Sequence, residues 1–167
     1  MKTILLLRHA KAEPGAPGQR DFDRELAPRG RDDAQAMGRA LAKAGMLPDA
    51  IVSSPAARAK QTAEGAARGM KSEVEIRWEA SLYDASGEAW VAALRALPAK
   101  AECALVVAHE PGISEAAALL CDAEAGSFDV PTAGLLAFEA AVARWRDLGP
   151  GDASLRWFLR PRLVARL

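Results

Sequence analysis

The sequence predicts an α/β protein: a three-layer α/β/α sandwich around a mixed, mainly parallel central sheet. Short, continuous apolar runs, such as residues 3–7 and 103–108, are typical of strands that are buried on both faces of a parallel sheet. Segments with helical periodicity lie between these runs, so helices should cover both faces. Near the end, two strand-like segments flank a Gly-Pro-Gly turn at residues 149–151, which predicts antiparallel pairing there.

The first strand is predicted over residues 3–7. Residues 13–24 are rich in Pro, Gly and charged side chains and indicate a loop. Pro28 suits the first position of a helix, and Gly45 suits its end. The apolar side chains of this helix recur at a spacing that places them on one face, and they are Ala34, Met37, Leu41 and Ala44.

The second strand is predicted over residues 50–53. Ser54 can cap the next helix and Pro55 can take its first position, so we expect a helix from there toward Gly69. Alternating apolar residues over 74–78 predict a third strand.

The remaining elements alternate in the same way. Residues 90–97 carry apolar side chains at helical spacing, and Pro98 ends that helix. A strand over 103–108 and a helix over 113–121 follow, and further strands are predicted over 135–145 and 155–159. We find no internal repeat and no linker, so residues 1–167 are expected to form a single domain.

The composition excludes several function classes. The 22 basic residues balance the 22 acidic residues, so the chain generates no long-range field for nucleic acid or an anionic membrane. No apolar stretch approaches the roughly 18 residues of a membrane span. Two histidines without a CxxC or HExxH pattern make a poor metal site, and no glycine-rich nucleotide loop is present. We therefore expect a cytoplasmic monomer without a metal or cofactor.

The two histidines of the chain each follow a continuous apolar run, as ILLLRH at His9 and ALVVAH at His109. The carboxyl ends of parallel strands line the ligand cleft of open α/β sheets, so both imidazoles are expected to face one cleft. The alternative for either residue is a hydrogen-bonded histidine of the core.

Arg58 is predicted in the first turn of the helix after the second strand. There its guanidinium and the helix N-terminus can address one anion together. Taken singly, an arginine in an alanine-rich helix is more often a solvated surface residue. Together with two histidines at strand ends it indicates phosphoryl chemistry, because arginine matches phosphate oxygens and a neutral imidazole is a competent nucleophile toward phosphorus.

Several segments resemble, in order, the motifs of the histidine phosphatase superfamily, the phosphoglycerate mutase-like enzymes. The chain is most similar to the short phosphohistidine phosphatases of the SixA type, and the similarity covers nearly its whole length. The matching segments are LRHAKA at 7–12, DRELAPRG at 23–30, VSSPAARAKQT at 52–62, VVAHEP at 106–111 and WFLRP at 157–161.

This resemblance implies that His9 is the nucleophile of a covalent phosphohistidine route. It also implies that Arg8, Arg58 and His109 complete the phosphate pocket. Arg24 matches an arginine near the pocket of the short members, so it is a further candidate for phosphate binding. The chain departs from the family where alanine follows the nucleophile in place of the usual glycine, a change that some SixA-like members share.

The larger relatives carry a glutamate general acid in an insert that is brief here, SLYDASGE at 81–88, with only Asp84 and Glu88 as candidates. An alkoxide leaving group benefits from proton donation, whereas the bond of phosphohistidine is already labile. The sequence thus favours a protein phosphohistidine substrate, and the resemblance implies a phosphotransferase-system carrier or a histidine phosphotransfer domain as the partner. A small phosphorylated metabolite, such as a sugar or nucleotide phosphate, and a non-catalytic phosphate-binding module remain the alternatives.

Overall fold

A computed structural model describes residues 1–164, in which six strands form one sheet in the order β3-β2-β4-β1-β5-β6. The four strands from β3 to β1 run parallel. β5 is antiparallel to both of its neighbours, β1 and β6, so the predicted mixed, mainly parallel sheet is confirmed. The strands are β1 Lys2–Arg8, β2 Ala50–Ser53, β3 Ile76–Trp78, β4 Cys103–Ala108, β5 Leu135–Ala140 and β6 Ala153–Leu159.

Helices cover both faces of the sheet, as the three-layer prediction requires. Two apolar clusters form the core: one joins the sheet to α1 and α2, and the other joins its opposite face to α3 and α4. The helices are α1 Pro28–Lys43, α2 Ala57–Met70, α3 Gly87–Arg95, α4 Gly112–Leu120 and α5 Pro161–Val164. Among residues 1–164, none of these helices is long and apolar enough to cross a membrane.

The central strand β1 shows why the apolar runs are continuous. Ile4 and Leu6 belong to the cluster under α3 and α4, whereas Leu5 and Leu7 belong to the cluster under α1 and α2. All four side chains are fully buried. Successive side chains of a strand point to opposite faces, so a strand between two helical layers needs apolar residues at every position.

The start of α2 differs from the prediction. Ser54 and Pro55 were expected to cap and begin this helix, but it begins at Ala57 and no side chain caps it. Ser54 instead lies fully buried, and its hydroxyl oxygen is 2.8 Å from Nε2 of His109. The cap prediction is therefore wrong: Ser54 Oγ accepts from the amide of Ala56, which precedes the helix, and it also contacts His109.

Four strands have other limits than the sequence predicted: β1 is one residue longer at each end, and β6 begins two residues earlier, at Ala153. β3 begins at Ile76, two residues later than expected. β5 was predicted to run to residue 145 but ends at Ala140. Trp145 begins a short 3₁₀ turn, is almost fully buried, and donates from Nε1 to the carbonyl of Ala101. The apolar residues after β5 thus pack beneath the sheet instead of extending the strand.

Candidate active site

The carboxyl ends of β1 and β4 bring the two histidines together. These strands are neighbours in register, with Arg8 opposite Ala108, and each histidine follows directly. The amide of His9 donates to the carbonyl of Ala108 at 2.9 Å, which extends the pairing by one residue. The two imidazole centroids are 5.2 Å apart. The predicted juxtaposition of His9 and His109 is therefore present.

The imidazole of His9 is held in one tautomer. Its Nδ1 lies 2.9 Å from the carbonyl oxygen of Ala10, and a carbonyl can only accept, so Nδ1 carries the proton. Its Nε2 accepts a hydrogen bond from Nε of Arg58 at 3.3 Å. Burial, followed by the charges of nearby arginines, lowers the pKa of His9 to about 4. At neutral pH this ring is uncharged, with a lone pair on Nε2.

His109 is also held neutral by burial, and its ring contacts Ser54. Ser54 Oγ already accepts from the amide of Ala56 at 3.3 Å, so its proton can be donated to Nε2 of His109. When Ser54 donates, the ring proton lies on Nδ1, a buried atom without a partner in residues 1–164. Burial and the neighbouring His9 and Arg58 lower the pKa of His109 to about 3.

Arg8 enters the site from the last position of β1. Its Nη1 donates to the carbonyl of Val130 at 2.7 Å. The amide of Val130 in turn donates to Oε1 of Glu110 at 3.1 Å, so the residue after His109 steadies the segment that holds Arg8. Nε of Arg8 is buried and has no partner within the described part of the chain.

Arg58 lies in the first turn of α2, as predicted, and only 7% of its surface is exposed. Its Nε points to His9, while Nη1 and Nη2 donate to the backbone carbonyl and the carboxylate of Asp21 at 2.8 and 2.9 Å. One turn later, Thr62 accepts from the amide of Ala10 and donates to the carbonyl of Arg58. The helix is therefore fastened to the segment that carries His9.

Arg24 lies at the end of the predicted loop, and its side chain forms hydrogen bonds to two other residues of that loop. Its Nη1 donates to Oδ1 of Asp21 at 3.0 Å, and its Nε and Nη2 both donate to the carbonyl of Glu13. These bonds connect Arg24 to His9 through Asp21 and Arg58. Its predicted contact with phosphate stays a prediction.

Asp21 and Tyr83 belong to the site, although the sequence analysis did not single them out. Oδ2 of Asp21 accepts from Tyr83 Oη at 3.0 Å and from Arg58. Burial alone would raise the pKa of Asp21, but hydrogen bonds from Arg24, Tyr83 and Arg58 lower that pKa to about 2. The Tyr83 ring meets His109 edge-on at 5.6 Å. For Asp21, the one local signal was its spacing from Arg24, which reads D-x-x-R. Tyr83 had no such signal.

The two acids of the short insert lie on the protein surface. Asp84 is exposed, with a left-handed backbone (φ 52°), and Glu88 is exposed in the first turn of α3. Glu88 lines a cleft of about 690 Å³ that also contains Glu110, Glu115 and Asp129, and no Lys or Arg is among its described lining residues. The cleft begins at the residue after His109, although neither histidine lines it.

Comparison with known sequences identifies relatives over nearly the whole chain. The sequence model described as the histidine phosphatase superfamily (branch 1) matches residues 4–91. Uncharacterized protein Rv1276c of Mycobacterium tuberculosis is 34% identical over 165 residues, which cover 93% of this chain and 100% of that protein. Uncharacterized protein ML1117 of Mycobacterium leprae is 31% identical over 166 residues, with 93% and 100% covered.

Solved structures with the same fold include proteins described as SixA. A candidate phosphohistidine phosphatase SixA from Agrobacterium tumefaciens is 28% identical with a TM-score of 0.81, covering 96% of this chain and 98% of that one. A counterpart from Nakamurella multipartita is 29% identical with a TM-score of 0.80, covering 96% of each chain. A protein histidine phosphatase SixA solved with tungstate shares the fold at 21% identity and a TM-score of 0.83, with 97% and 99% covered.

Proposed function

This chain belongs to the histidine phosphatase superfamily, and from that premise we propose that it removes the phosphoryl group of phosphohistidine on a protein. In this proposal His9 attacks the phosphorus and carries the phosphoryl group until water releases it. Arg8, Arg58 and His109 hold the phosphoryl oxygens during both steps. The partner is expected to be a phosphotransferase-system carrier or a histidine phosphotransfer domain.

The observation that carries the proposal is the orientation of His9. Its Nδ1–H is fixed on the carbonyl of Ala10, so the lone pair lies on Nε2, with Nε of Arg58 beside it. Its pKa of about 4 keeps the lone pair available at neutral pH, where a protonated imidazole could not attack. A structural histidine of the core would have no need of an unprotonated nitrogen next to a guanidinium.

The donors around Nε2 match the needs of phosphoryl transfer, which depends on positioning and on neutralising the charge of the phosphoryl oxygens. Nε of Arg8 and Nδ1 of His109 are both buried without a partner in the described residues. Buried polar groups are normally hydrogen-bonded, and in the proposal a phosphoryl oxygen accepts from Nε of Arg8, and from Nδ1 of His109 where that nitrogen carries the ring proton. Arg58 supplies the remaining positive charge.

The proposed chemistry proceeds in two displacements. In the first, Nε2 of His9 forms a bond to phosphorus while the bond to the substrate nitrogen breaks, and the departing imidazole takes a proton from solvent. In the second, a water oxygen attacks the same phosphorus, the bond to Nε2 breaks, and inorganic phosphate leaves. His9 recovers its lone pair, so the enzyme returns to its starting state.

The surroundings of the histidines favour an imidazole over a sugar or nucleotide as the leaving group. The cleft beyond His109 carries four carboxylates, which would repel the further phosphates or acids of an anionic metabolite. The acids of the short insert, Asp84 and Glu88, are exposed, and nothing pairs either with the histidines. An alkoxide therefore has no evident proton donor here, whereas imidazole does not depend on one.

The test compares kcat/KM for a histidine phosphotransfer domain, phosphorylated chemically with phosphoramidate, with kcat/KM for an aryl phosphate and a sugar phosphate. We expect the phosphorylated domain to be the better substrate. His9→Ala should abolish turnover of every substrate, and His109→Ala should slow it by about 10²-fold or more. Phosphate binding without release by the wild-type protein would support a binding module instead.

The same assay tests the surface acids. Asp84→Asn and Glu88→Gln should each change turnover of the phosphorylated domain by less than about tenfold, below the usual effect of losing a general acid. A clear preference for the sugar phosphate that disappears in either variant would overturn the substrate proposal. The role of His9 as nucleophile would still be decided separately, by the activity of His9→Ala.

A further inference from the structure

We infer that Asp21 is a positioning residue that holds the Arg58 guanidinium against Nε2 of His9. The inference rests on the proposed function of that site and extends it to a residue outside the five side chains expected from the sequence. Asp21 lies in the loop between β1 and α1, within a single 3₁₀ turn, Asp21–Asp23. It contacts neither histidine through a hydrogen bond of the described structure, so its influence passes through Arg58.

Asp21 determines which part of Arg58 faces the nucleophile. An arginine has donors on both the terminal and the inner side of its planar guanidinium. The carbonyl of Asp21 accepts from Nη1 at 2.8 Å, and its carboxylate accepts from Nη2 at 2.9 Å. These two bonds orient the guanidinium so that its inner nitrogen, Nε, donates to Nε2 of His9 at 3.3 Å.

Asp21 is itself fixed from two further directions. Arg24 donates to Oδ1 at 3.0 Å, and Arg24 is bound in turn to the carbonyl of Glu13. Tyr83, from the loop before α3, donates to Oδ2 at 3.0 Å. Charge-assisted hydrogen bonds of this kind are stronger than neutral ones and define direction well. The carboxylate therefore joins the loop before α1 to the loop before α3.

The sign of its charge separates positioning from binding. A carboxylate beside the site repels a phosphoryl group, so Asp21 should weaken the binding of substrate and of inorganic phosphate. If its contribution is to align Arg58, its removal lowers kcat without raising KM. A residue that merely maintains the fold would lower the stability of the protein, and its loss would raise KM as the site loosens.

The principal test is a double-mutant cycle on kcat/KM with Asp21→Ala, Arg58→Ala and the combined variant. We expect Asp21→Ala to lower kcat by about 10- to 100-fold with an equal or lower KM. Because Asp21 acts through Arg58, adding Asp21→Ala to Arg58→Ala should cause no further loss. Asp21→Asn keeps an oxygen for Arg58 and should retain an intermediate kcat. Two independent, multiplying losses would overturn the inference.

Asp23→Ala is the matched control. Asp23 lies in the same turn, is acidic, and pairs with the exposed Arg20 instead of Arg58. We expect kcat, KM and the free energy of unfolding of this variant to stay close to those of the wild type. Equal losses in Asp23→Ala and Asp21→Ala would show a general effect of the loop, which contradicts the inference.

A second readout needs no turnover. The chain has two histidines, so the ring nitrogens of His9 can be assigned in ¹⁵N NMR spectra. In the wild type, Nε2 of His9 should show the shift of an unprotonated nitrogen that accepts a hydrogen bond. Asp21→Ala should move this shift toward that of a free imidazole nitrogen, whereas Asp23→Ala should not. An unchanged shift in Asp21→Ala overturns the positioning role. If the wild type releases no phosphate from the phosphorylated domain, the proposed function itself is contradicted.

Discussion

At the residue scale, two buried neutral imidazoles form the centre of the site. The pKa of His9 is lowered to about 4 and that of His109 to about 3, in both cases first by burial. Each ring also has a partner for one nitrogen, Ala10 for His9 and Ser54 for His109. As a result, Nε2 of His9 carries no proton, and Nδ1 of His109 is buried without a hydrogen-bond partner among residues 1–164.

These pKa values predict how stability depends on pH. The unfolded chain takes up a proton at each histidine below about pH 6.5, whereas the folded chain does so only near pH 4 or lower. The unfolded state therefore binds more protons in this window, and stability falls as pH decreases from about 6.5 to 4. The loss is at most about 1.4 kcal/mol per pH unit for each histidine. Asp21, with its pKa of about 2, adds stability that is present above about pH 4 and is lost as the pH falls toward 2.

Urea unfolding at several pH values between 7 and 4.5 measures this effect. In His9→Gln the slope of the free energy of unfolding against pH should be shallower than in the wild type, since one of the two titrating groups is gone. The same unfolding free energy at pH 7 and pH 5 in the wild type would show that the imidazoles titrate normally in the folded state.

The sequence identified some site residues and missed others for a physical reason. His9, Arg8 and His109 lie at the ends of central strands, and Arg58 lies in the first turn of a helix, so local pattern alone places them. Asp21 and Tyr83 lie in irregular segments, and their positions depend on contacts with side chains 37 and 62 residues apart in sequence. No periodicity reports such contacts.

At the scale of the elements, α1 and α2 pack so closely that glycine is required between them. A Cβ atom on Gly38 would lie 2.0 Å from the carbonyl oxygen of Ala66, and one on Gly69 would lie 2.2 Å from that of Gln35. Both contacts involve backbone, which cannot rotate away. This close contact fixes the position of α2 against α1, and therefore the position of Arg58 in its first turn.

Gly38→Ala is therefore expected to destabilise the protein, although alanine favours a helix by about 1 kcal/mol. Overpacking typically costs about 1–3 kcal/mol, and a clash with backbone belongs at the upper end, so we expect a net loss of about 1–2 kcal/mol in urea unfolding. Gly15→Ala is the control, because its new methyl group would meet Arg24 at an ordinary 3.5 Å. Its stability should stay within about 0.5 kcal/mol of the wild type. Equal stability of both variants would contradict the close packing.

The sequence predicted the existence and order of the elements better than their ends. β2 and β4 have the predicted limits because their apolar runs are buried on both sides. The start of α2 was misplaced by two residues, since Ser54 contacts His109, 55 residues away, and does not cap the helix. The end of β5 was misplaced because Trp145 packs into the core beside Ala101. In both cases a tertiary contact overrides the local signal.

At the scale of the whole molecule, the topology explains why one site gathers residues from distant parts of the chain. β1 lies between β4 and β5, and β4 lies between β1 and β2, so the carboxyl ends of β1, β2 and β4 adjoin at one edge of the sheet. Each of these ends supplies part of the site, and ligands of open α/β sheets bind at such edges. The shared site was predicted because both histidines follow apolar runs typical of parallel strands, whereas the substrate depends on irregular loops that no periodicity describes.

The central claim is that His9 carries the phosphoryl group during turnover, and trapping the phosphorylated enzyme tests it most directly. The wild type is mixed with a chemically phosphorylated histidine phosphotransfer domain, quenched in base, which preserves phosphohistidine, and digested for mass spectrometry. We predict a peptide that gains the mass of one phosphoryl group on His9, with none on His109, and no such peptide in His9→Ala. Turnover in His9→Ala at the wild-type rate, or a phosphoryl group found only on another residue of the wild type, would contradict the account.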